Sequence, residues 1–113
     1  MSKLDAILDE CRAQMKERKI PLDDELLLAI AKSLGPSLYK RDARVVATSQ
    51  KSEIETIKKN FLIKKLGCKD TPVLDRAIAR VTEKIGKSNR NKLRPVFYYL
   101  LVRDLRKKSV FAG

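Results

Sequence analysis

Lys92, Tyr99, Arg103 and Arg106 are spaced so that a helix turning about 100° per residue sets all four on one narrow face. Cations there would hold phosphates, and the tyrosine among them could stack on a base. Tyr99 has two plainer readings: a cation–π pair with Arg103 one turn on, or a filler in a groove against another helix. A second basic row, Arg76, Arg80 and Lys84, recurs at i, i+4 and i+8 opposite an apolar stripe. It reads as a phosphate-contacting ridge or, by default, as the solvated face of an amphipathic helix. Glu83, within a turn of Arg80, would partly neutralise it.

A third basic set is Lys40, Arg41 and Arg44 around Asp42, with Lys58, Lys59, Lys64 and Lys65 downstream. The lysine pairs flank the Ile54–Ile57–Phe61 stripe and can lay their stems over it. For Arg41 and Asp42 a structural ion pair is favoured, with Asp42 capping a short helix.

Catalytic patterns are missing. The chain has no His, the commonest general base and metal ligand. No GxxxxGK[ST], GxGxxG or GxSxG pattern occurs, and four Gly make a phosphate-cradling loop a poor expectation. Asp23, Asp24 and Glu25 are consecutive, point to different helix faces and read as a helix start. Cys11 and Cys68 lie far apart with no zinc spacing. A disulfide is allowed but not implied, and reduced thiols in a cytoplasmic protein are the simpler reading. Cys11 falls on an apolar stripe, and Cys68 lacks an activating base. The expectation is a non-enzyme with no metal, cofactor or evident small-molecule substrate.

Twenty-six basic and 14 acidic residues in 113 give a net charge of +12. Residues 1–35 carry a net −1, so the excess of +13 follows Gly35. Solubility needs only about 2–8 charges, so this field points to a polyanion: nucleic acid, a lipid surface or an acidic protein. No apolar run approaches the roughly 18 residues of a membrane span. Asp5, Asp9, Glu10 and Glu17 argue against a signal or transit peptide.

The elements that must position these residues read as helices between stop signals. Leu4, Ile7, Leu8, Cys11 and Met15 form a first stripe, with Ser2 and Asp5 as a start signal and Pro21 as a break. A second helix starts near Asp23 and stops at Gly35-Pro36. Residues 37–48 read as a short helix, because a lone strand there has no obvious partner. Ser49 or Ser52 caps a third helix, Ser52 with Glu55 matching a capping box. Its stripe Ile54, Ile57 and Phe61 widens through Leu62, Ile63 and Leu66, which suggests a central helix, ended by Gly67. Thr71-Pro72 opens a fourth helix with the stripe Leu74, Ala77, Ile78, Val81 and Ile85, ended by Gly86. Lys87 to Asn91 is a polar loop. The last helix holds Leu93, Phe97, Tyr98, Leu101, Val102 and Leu105, with Pro95 in its first turn. Residues 106–113 form a tail that docks by Phe111 or stays loose. The expected fold is a single all-α domain over 1–113, of five or six helices.

Arg41-Asp42 with Val46, Asn60-Phe61-Leu62, Lys64-Lys65-Leu66-Gly67, Phe97-Tyr98-Tyr99-Leu100-Leu101 and Ser109-Val110-Phe111 occur in that order. Over residues 25–111 this pattern resembles a family of short bacterial proteins catalogued as domain of unknown function 2853. The resemblance implies a small, mostly helical domain and brings no activity or site. Two functions remain: a polyanion-binding module using Arg76, Arg80, Lys84, Lys92, Tyr99, Arg103 and Arg106, or a protein-interaction module. The second includes a homodimer formed through surplus apolar surface on the third and last helices.

Overall fold

The computed structural model describes residues 3–40 and 44–111, with the side chains of 36 and 37 left aside. Among the described residues five helices, α1 (Lys3–Glu17), α2 (Asp24–Leu34), α3 (Lys51–Ile63), α4 (Pro72–Ile85) and α5 (Arg94–Asp104), build one all-α domain. Short 3₁₀ turns lie at Gly35–Tyr39, after α2, and at Lys108–Val110, after α5. The Cα radius of gyration, 13.0 Å, is that of one compact unit of about this length.

The helix boundaries follow local chemistry. Asp23 caps α2, its Oδ1 accepting from the Leu26 N–H at 3.3 Å. Asp24 and Glu25 then lie in the first turn, where the dipole favours negative charge. Gly35 ends α2 at φ 69°, and Thr71-Pro72 opens α4 as expected. Ser49 and Ser52 do not cap α3: Gln50 holds that position without a side-chain bond, and Ser52 lies inside the helix. The Ser2 start signal and the Arg41–Asp42 pair lie outside the described residues.

Helix α5 is the centre of the fold, packed against α1, α2 and α4. Apolar residues surround it, so no single stripe exists, and Val96, Phe97, Leu101 and Val102 are fully buried. Each of these contributes about 1.5–3 kcal/mol by leaving water. The apolar surplus that suggested a homodimer on this helix is thus covered within one chain.

The expectation of a central third helix is corrected. From Ile57 to Ile63 α3 is a π-helix, and Lys64 N–H bonds the Lys59 carbonyl five residues back at 3.2 Å. A π turn takes in more residues than an α turn. That longer period brings Ile57, Phe61, Leu62 and Leu66 into the core together. The widening of the stripe accompanies this change of period, and the helix meets α5 through Phe61 on Tyr98 and α4 through Lys58 on Asp75.

Residues 37–48 are only in part as expected. Arg44 is helical and its N–H bonds the Lys40 carbonyl at 3.1 Å. Val45 then makes an antiparallel bridge with Leu93, and the Val46 N–H donates to the Lys92 carbonyl at 2.8 Å. The partner that sequence reasoning lacked is the segment before α5. At the other end the tail docks: Phe111 is half-buried, 6.4 Å from the Phe61 ring, with the Lys65 ammonium 5.6 Å from its ring centre.

Candidate polyanion-binding face

Helix α4 buries Leu74, Ala77, Ile78, Val81 and Ile85, which turns Arg76, Arg80 and Lys84 outward. Because α4 packs on α5, Arg80 and Lys84 come beside Arg103. The three line a depression of about 330 Å³ together with Val81, Leu100 and the carboxylate of Asp104. Arg80 donates to both Asp104 oxygens, Nε at 3.1 Å and Nη2 at 2.7 Å. That hydrogen bond holds the Arg80 guanidinium above its ordinary pKa. The carboxylate that tempers Arg80 is therefore Asp104 from the neighbouring helix. Arg76 and Lys84 are exposed and in no ion pair among the described residues.

The narrow face of Lys92, Tyr99, Arg103 and Arg106 does not exist. Helix α5 begins at Arg94 and ends at Asp104. Lys92 precedes it, and Arg106 follows it in a left-handed conformation at φ 56°. Tyr99 is 0 % exposed, so it offers no ring to a base. Its hydroxyl donates to the Pro21 carbonyl at 2.6 Å and accepts from the Asp23 N–H at 2.9 Å and from Arg103 Nη1 at 3.1 Å. The Arg103 guanidinium carbon lies 5.8 Å from the Tyr99 ring centre. The two plainer readings, cation–π partner and groove filler, both describe it.

Lys92 is also removed from the outer face, at 4 % exposure. Its ammonium donates to the carbonyls of Lys87 at 3.0 Å and Asn89 at 2.5 Å. Burial pushes its pKa down. Of the seven candidates, Arg80, Lys84 and Arg103 share one depression, Arg76 and Arg106 are exposed elsewhere, and Lys92 and Tyr99 are interior.

In the third basic set, Lys58 bridges to Asp75 at 3.0 Å, and this bond raises its pKa. Arg44 donates from Nε to the Leu38 carbonyl at 3.0 Å. Both roles are structural.

Two interior networks escaped sequence reasoning. Arg94 pairs with Glu53 and donates to the Tyr98 hydroxyl at 3.0 Å, while the Phe61 ring stacks on Tyr98 at 4.1 Å. The available signal was Arg94 itself: a cation in a first helical turn opposes the dipole and implies a dedicated partner. Gln14, buried in α1, donates to the Asn91 carbonyl at 2.5 Å and accepts from the Leu93 N–H at 3.2 Å. It anchors the polar loop before α5.

Among the described residues no group of three or more His, Cys, Asp or Glu could hold a metal ion, and no helix is long and apolar enough to cross a membrane. The Phe97-Tyr98-Tyr99-Leu100-Leu101 block is the heart of α5, and Lys64-Lys65-Leu66-Gly67 follows the π segment, so these blocks describe packing. A search of curated proteins finds no match. The sequence profile of the family described as "Protein of unknown function (DUF2853)" matches residues 10–109, and the chain belongs to that family.

Proposed function

We propose that this chain is a non-enzymatic binding module for a polyanion, with nucleic acid as the first class to test. The observation that carries the reading is the meeting of Arg80, Lys84 and Arg103, from two helices, around one depression. Arg76 and Arg106 are exposed outside the depression and add to the positive field of the surface. Val81 and Leu100 give the depression an apolar wall against which a sugar can rest. With Tyr99 interior, recognition runs through phosphates alone and is weakly sequence-dependent. Two free thiols, Cys11 and Cys68, accord with a cytoplasmic setting.

The test is fluorescence anisotropy of labelled single- and double-stranded oligonucleotides at about 50 and 200 mM salt. Binding is expected to weaken steeply over that range. Lys84→Ala and Arg76→Ala should each lower the salt slope by about 1 if the residue contacts a phosphate. No saturable binding at the lower salt would overturn the proposal.

A further inference from the structure

A second donor-rich cavity, of about 490 Å³, lies between the segment 45–49 and the loop 87–92. Thr48, Ser49, Lys87, Ser88, Arg90 and Lys92 line it, and no carboxylate does. Asp75 and Glu83 belong to an adjoining depression that shares Thr48, Ser49 and Lys87. Lys87 and Arg90 are exposed and in no ion pair among the described residues.

The second observation is the buried charge of Lys92. Its ammonium bonds two neutral carbonyls, of Lys87 and Asn89, and has no carboxylate partner among the described residues. A charge taken out of water is ordinarily balanced by an opposite one. Here the space beside it is lined by hydroxyls and further cations. The loop around it is held from within: Asn89 Oδ1 accepts from the Asn91 N–H at 2.9 Å, and Gln14 fixes Asn91 from α1. The Lys87 and Arg90 side chains stay outside these bonds.

We propose that this cavity binds a phosphate monoester or inorganic phosphate, with Lys87 and Arg90 as cationic arms. Thr48, Ser49 and Ser88 supply hydroxyl donors, and Lys92 supplies a fixed positive charge behind them. A phosphate at neutral pH carries close to two negative charges and several strong acceptor oxygens, which matches this donor set. The phosphate belongs either to a free phosphomonoester or to the 5′ end of a nucleic-acid strand. The site is separate from the α4–α5 depression and stands without it.

The experiment is a calorimetric titration of the full chain with inorganic phosphate, in chloride buffer of matched ionic strength, repeated on Lys87→Ala/Arg90→Ala. Saturable binding in the roughly millimolar range or tighter is expected, weakened about tenfold or more in the double variant. Circular dichroism should show the variant folded, since both side chains are exposed. Lys84→Ala/Arg76→Ala should bind phosphate unchanged, which separates this site from the oligonucleotide face. A parallel anisotropy arm compares 5′-phosphorylated and 5′-hydroxyl oligonucleotides. A preference for the phosphorylated strand that vanishes in Lys87→Ala/Arg90→Ala assigns the site to strand ends. Equal affinity for both strands, with inorganic phosphate still bound, assigns it to a free phosphomonoester. No saturable heat with phosphate, or binding unchanged in Lys87→Ala/Arg90→Ala, overturns the proposal.

Discussion

The Tyr99 hydroxyl donates to the Pro21 carbonyl at 2.6 Å, joining positions 78 residues apart in the chain. The same oxygen accepts from the Asp23 N–H, the cap residue of α2. One phenol thus ties the central helix to the turn that launches α2.

Removing that oxygen should be costly to stability, while Arg103, which loses one acceptor but keeps its contact with the ring, should hold its place in the depression. Tyr99→Phe leaves the Pro21 carbonyl and Asp23 N–H short of a partner, for a loss of about 1–3 kcal/mol in urea unfolding. Oligonucleotide affinity should stay at its wild-type value in conditions where the variant is folded. An affinity loss in folded Tyr99→Phe that persists in an Arg103→Ala background would return Tyr99 itself to the binding surface.

The Glu53–Arg94 pair should show the asymmetry of an interior ion pair. Both side chains are largely shielded, at 22 % and 14 % exposure. Glu53→Leu removes the Glu53 counter-charge from a largely buried guanidinium, which keeps its bonds to the Tyr98 hydroxyl and, at 3.4 Å, the Val45 carbonyl, and should cost toward about 3 kcal/mol. Glu53→Leu with Arg94→Met should recover part of that loss, because the buried positive charge is removed with its counter-charge. A double variant less stable than Glu53→Leu would show that Arg94 acts mainly through its bonds to the Tyr98 hydroxyl, at 3.0 Å, and the Val45 carbonyl, at 3.4 Å.

Alkaline pH should expose Cys11. Burial, with Glu10 adding to it, pushes the thiol from its ordinary 9.0 up to about 12. The folded pKa lies above the unfolded one, so the stabilisation is complete below pH 9 and is lost as pH rises toward 12. The slope contributed by this group is about 1.4 kcal/mol per pH unit. Cys11→Ala should remove that share of the slope in urea midpoints taken between pH 9 and 11. A thiol reagent at neutral pH should label the half-buried Cys68 and spare Cys11. Equal labelling of both in the native protein would contradict this burial.

Helix α4 could be read from its residues because one stripe buries one face and leaves Arg76, Arg80 and Lys84 outside. Helix α5 could not be oriented, since apolar residues on every side give no preferred direction. That is why Tyr99 stayed open between a stacking ring, a partner of Arg103 and a groove filler until the fold enclosed it. Lys92 misled for another reason: it precedes the helix, so an angular step does not apply to it. The α4–α5 depression needed the packing of two helices before Arg103 could join Arg80 and Lys84. The Val45–Leu93 bridge links segments 48 positions apart, and nothing local in either announces the other.

The π segment of α3 sets the phase between the two ends of that helix. Glu53, before it, must face Arg94, while Phe61, within it, must face Tyr98. A uniform α-helix advances about 100° per residue, so removing one residue between them would swing one end by that amount relative to the other. The anchor at Glu53 and the ring stack at Phe61 would then compete for a single rotation of the helix. The π segment lets both engage at once, as a coupling that joins two shafts cut to different angles.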